Sequence, residues 1–150
     1  MPAPPSQSQH QALTDWLQAN DWTLFSEASK AVDERDALHE AISTSAVSRS
    51  QLRAIVNTAR VSGNPNTFRR FLRERKERRE KEASSSDRDH IIQKAAFWVE
   101  VINQWHHAQD NHVSRAADEL NLDLSKTDQM RIISAYFEHL VAHCQLRSES

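Results

Sequence analysis

"QMRIISAYFEHLVAHC", residues 129 to 144, decides the fold class. Met130, Ile133, Tyr136, Phe137, Leu140, Val141 and Cys144 recur at three and four residues, the spacing that lines one face of an α-helix. A helix is predicted from about 126 to about 146. Sheet proteins of this size need many tight turns, yet glycine occurs only at Gly63 and proline only at Pro2, Pro4, Pro5 and Pro65. The chain therefore reads as all-α, a compact bundle of about five to seven helices.

The same periodicity extends N-terminally. Ile91, Ile92, Ala95, Val99 and Ile102, with Trp98, Val101 and Trp105 beside them, predict a helix over about 87 to 109 with contacts on two sides. A short helix is expected at about 113 to 121. Toward the start, Leu13, Trp16 and Leu17, then Leu24, Phe25, Ala28 and Val32, then Leu38, Ala41 and Ile42 form short amphipathic repeats. Ser48 or Ser50 suits the N-cap of a helix whose apolar face is Leu52, Ile55, Val56 and Ala59. Gly63 is expected as a left-handed C-cap, Pro65 as a stop, and Asn66 or Thr67 as the next N-cap. Residues 1–9, rich in Pro, Ser and Gln, read as a disordered tail; 10–150 read as one domain with an internal break at 83–87, where Ser86 or Asp87 begins a new helix.

Charge is unevenly placed on a chain whose formal net charge is -2. Both flanks are acidic, and residues 49–81 hold eleven of the nineteen Lys and Arg against only Glu74, Glu77 and Glu80. In "TFRRFLRERKERREK" (67–81), Phe68, Phe71 and Leu72 share a face, but Arg75 and Arg79 occupy the positions that would extend it. The first half can dock; residues 73–82 are expected to project into solvent or against an anionic partner. Pairs such as Arg73–Glu77 and Glu77–Lys81 would each contribute about 0.2–0.5 kcal/mol, and the cation surplus exceeds what they can absorb. Arg49, Arg53, Arg60, Arg69, Arg70, Arg73 and Lys76 are the candidate phosphate contacts, read as one stripe. About six such contacts would give a log–log salt slope near -4 to -5.

Other chemistries find little support. Cys144 stands alone, without a second thiolate for a disulfide or a Cys-based zinc site, and its apolar neighbours predict burial. A reducing, cytoplasmic setting fits that cysteine usage. His139 and His143 stand four apart, and His106, His107 and His112 form a second imidazole-rich patch, but no ligand pattern completes either, so no metal, cofactor or catalytic residue is expected. Trp16, Trp98 and Trp105 read as core, and Trp22 as half of a hydrophobic staple. No apolar run approaches the roughly 20 residues of a membrane span.

"STSAVSRSQLRAIVNTA" (43–59) resembles a helix start in the small subunits of type III-A CRISPR effector complexes, and "AYFEHLVAHC" (135–144) resembles their C-terminal helix. The resemblance implies a small, all-helical, non-catalytic subunit that stacks into a filament along guide and target RNA beside other effector-complex subunits. It implies roles for Ser50, Gln51 and Arg53 near nucleic acid, and for Tyr136, Phe137, Leu140 and Val141 in packing or subunit contact. The chain departs from the family at Ala142-His143-Cys144 and in its Arg-rich segment 69–81. Two other classes compete: a helix-turn-helix DNA regulator, formed from 113–133 or from 51–75 with Thr67 to Arg75 as recognition helix, and a protein-binding adaptor.

Overall fold

The computed structural model describes residues 5–85 and 88–148, and they are all-α. The order is α1 (Pro5–Ala19), α2 (Asp21–Glu34), α3 (Asp36–Ser43), α4 (Arg49–Val61), α5 (Pro65–Ser84), α6 (Asp89–His107), a π turn (Ala108–Val113), α7 (Ser114–Leu120) and α8 (Lys126–Ser148). Buried side chains from every helix merge into one core. α8 is its axis, packed against α1 to α5 and the π turn. Trp98, Tyr136, Phe68, Phe97 and Phe137 are the largest side chains fully enclosed there.

Local chemistry sets the helix ends. Ser48 caps α4 in a capping box: its hydroxyl accepts from the Gln51 amide, and the Gln51 side chain accepts from the Ser48 N–H. α5 begins earlier than expected. Asn64, not Asn66 or Thr67, is its N-cap, with Pro65 at the first helical position, where a missing N–H costs nothing. Gly63 is not left-handed; α4 ends at extended Ser62, so Gly63 serves no C-terminal cap. Left-handed backbone occurs instead at Asn121, at φ 54°, closing α7, and at Ser45, at φ 58°, just after α3.

Two boundaries differ from the sequence reading, and a third falls at the expected break. α1 starts at Pro5, so the expected tail is helical from there, while residues 1–4 lie outside the described residues. The expected gap near 110 is absent: α6 runs through the π turn into α7 without leaving helical geometry. α5 stops at Ser84 and the N-cap position of α6 is Arg88; Ser86 and Asp87, the expected caps, lie outside the described residues. Trp22 is no staple, being 73% exposed and stacked on Phe25 at 5.2 Å.

Candidate nucleic-acid interface

α5 is fixed at its start and along one side. The Pro65 carbonyl accepts from the indole N–H of buried Trp105 at 3.1 Å, tying the first turn to the far end of α6. Phe68 and Leu72 are fully buried, with Phe68 edge-on to Phe137 at 5.1 Å and Phe71 edge-on to Trp98 at 6.5 Å. α6 is the most extensive neighbour of α5, and the two form a helical hairpin.

That hairpin changes the reading of the second half of α5. Arg75 and Arg79 follow Phe68 and Leu72 around the helix, and both are half-buried rather than projecting. The Arg75 guanidinium lies 5.1 Å from the Phe71 ring centre, while Arg79 reaches both oxygens of Glu82 at 3.1 Å. Long basic side chains can lay their stems on apolar surface while the charge stays solvated, which is how two arginines occupy an inward-leaning face. Lys76 is half-buried and pairs with Glu80 at 3.3 Å.

The outward face is different. Arg70, Arg73, Arg78 and Lys81 are exposed, and among the described residues none makes an ion pair. Arg70 and Lys81 stand three turns apart on the same side, about 16 Å along the axis. Glu74 and Glu77 share this face, but Glu80 and Glu82 are engaged by Lys76 and Arg79, so cations dominate it.

The seven candidate cations therefore do not form one stripe. Arg70 and Arg73 lie on the open face of α5. Arg69 is half-buried, its guanidinium 5.3 Å from the Trp105 ring centre, and its Nε is enclosed without a hydrogen-bond partner among the described residues. Arg53 and Arg60 belong to a separate groove between α4 and α8, where Arg60 pairs with Glu138 at 2.7 Å. Arg49 is exposed in the first turn of α4. Lys76 is spent on Glu80. Arg78 and Lys81 join the face although the sequence reading omitted them; their spacing from Arg70 was the available signal.

Of the two roles expected of the α8 residues, packing or subunit contact, the structure shows packing. Tyr136, Phe137, Leu140 and Val141 are at most 3% exposed, so they pack the core of this chain and offer nothing to a neighbour. Gln51 is likewise occupied by the capping box. Cys144 is buried, and burial pushes its thiol up to about 12, which leaves it protonated and unreactive. His139 meets Asp21 at 2.8 Å, and His143 Nε2 lies 3.2 Å from the Phe25 carbonyl; burial lowers the His143 pKa and keeps it neutral. Arg147 forks onto Asp33 at 2.6 and 2.9 Å, which holds that carboxyl below its ordinary range and joins α8 to α2.

No family model, curated protein or solved structure matches the chain. Among the described residues no helix is long and apolar enough to cross a membrane.

Proposed function

We propose that this chain is a non-catalytic, nucleic-acid-binding helical subunit of a ribonucleoprotein assembly, with RNA backbone held on the outer face of α5. One observation carries the reading: Arg70, Arg73, Arg78 and Lys81 are exposed and, among the described residues, without ion pairs, on a helix whose opposite face is anchored in the core. A rigid row of cations, three of them arginines, suits phosphate oxygens without demanding a base sequence. The specific form proposed is a small subunit of a CRISPR-type effector complex, on guide and target RNA and stacked with neighbouring copies. The two resembling stretches support it, and the acidic flanks suit basic surfaces of neighbours.

A DNA regulator built on α4 and α5 would use the same face on duplex DNA. The alternative helix-turn-helix, at 113–133, would need α8 in a groove, and α8 is buried along most of its length. Fluorescence anisotropy with labelled single-stranded RNA, an RNA duplex and DNA duplexes separates the readings. RNA binding with little sequence preference and a log–log salt slope of about -3, for four phosphate contacts, is expected. Preference for one DNA duplex would favour the regulator, and failure to bind any probe would end the nucleic-acid reading in favour of a protein-binding adaptor.

A further inference from the structure

A second polar cluster lies inside the bundle, independent of the α5 surface. His107 and His112 are five residues apart, which on an α-helix would turn their side chains about 140° from each other. The π turn pairs residues five apart and so brings both imidazoles to one side, with ring centres 5.2 Å apart and nearly perpendicular. α2 supplies the third member: Glu27 Oε2 lies 2.7 Å from His112 Nε2. One ligand-capable atom from each of Glu27, His107 and His112 falls within 4.8 Å of the other two.

The cluster is poorly served by hydrogen bonds. His112 is 2% exposed, yet neither ring nitrogen has a hydrogen-bond partner among the described residues, and the facing Glu27 Oε2 is equally unserved. Their 2.7 Å approach brings the two groups together without forming a hydrogen bond. Buried polar groups left so are costly and call for a further partner. A cation between them would engage both, with the oxygen and nitrogen spreading by a few tenths of an ångström to reach ligand distances. Burial and the neighbouring His107 and Arg115 pull the His112 imidazole down to about 4, so it is neutral and able to donate a lone pair.

We propose that Glu27, His107 and His112 bind one divalent transition-metal ion of the zinc class, with its fourth position open to the adjoining cavity. Two imidazoles and a carboxylate are a donor set that zinc accepts with one site left for water or a ligand. The cavity, of about 260 Å³, is lined by Glu27, His107, Gln104 and Tyr136, and by Lys30, Arg35 and Glu34. The ion would also clamp α2 to the π turn, elements far apart in sequence.

The test uses the full chain, stripped with chelator and titrated with Zn²⁺ or Co²⁺. Expected are one ion per chain, the visible absorption bands of tetrahedral Co²⁺, and a rise in Tm on Zn²⁺ addition. Glu27→Gln with His107→Asn, both at half-buried positions, should weaken Co²⁺ binding at least about 100-fold and abolish the Tm rise; His139→Ala on the other histidine pair should change neither. Because His112→Ala risks misfolding, the isosteric Glu27→Gln variant alone must also weaken binding. No retained ion, or binding lost with His139 but kept in the Glu27 and His107 variants, overturns the assignment.

Discussion

α5 and α8 have similar lengths, 20 and 23 residues, and opposite fates. α8 buries a broad face from Met130 to Cys144, and every helix before α6 packs against it. α5 buries only Pro65, Phe68 and Leu72, all in its first half, and beyond them offers basic side chains on both faces. The large apolar side chains from Met130 to Cys144 face the core, so their periodicity is a packing pattern. α5 spends a narrow apolar anchor to hold a charged surface rigidly in place. The contrast places stability in α8, and the proposed reading puts binding on α5; each can be broken separately.

The largest effect is expected from α8. Phe137→Ala removes a fully enclosed ring in contact with Phe68 and Tyr136, and should cost about 3–5 kcal/mol in urea unfolding. Acid comes next. The folded state keeps His112 neutral down to about pH 4 from an ordinary 6.5, so between those values the unfolded chain binds the extra proton. Stability of chelator-treated protein should fall as pH drops from 6.5 toward 4, by on the order of 3 kcal/mol, with His143 adding in the same direction. A flat pH profile would show that the site protonates without unfolding. Ser48→Ala, which loses the capping box of α4, should cost about 1 kcal/mol. The smallest effect is at the rim: Glu138→Gln leaves Arg60 without its exposed partner and should change stability by less than about 1 kcal/mol.

Much of α8 was legible because its period is carried by seven apolar residues in one unbroken helix. Ser48 was legible because a capping box is written in adjacent residues, and Trp98 and Trp105 because their neighbours are aliphatic at helical spacing. The direction of Arg75 and Arg79 was not, since a wheel of α5 alone cannot show that α6 folds back along it. Nor was the pairing of His107 with His112, which depends on a π turn that has no periodic signature and on Glu27 from a distant helix. Arg53 and Arg60 were grouped with α5 because they are near it in sequence, whereas the fold turns them to the α8 groove.

The central claim rests on four side chains. Arg70, Arg73, Arg78 and Lys81 changed together to Gln keep helix-forming residues at exposed positions, so unfolding free energy should stay within about 0.5 kcal/mol of the parent per site. The decisive measurement is the salt dependence of single-stranded RNA binding for parent and variant. The account predicts a slope of about -3 for the parent and near zero, with weak binding at low salt, for the variant. Equal slopes for the two proteins would contradict it.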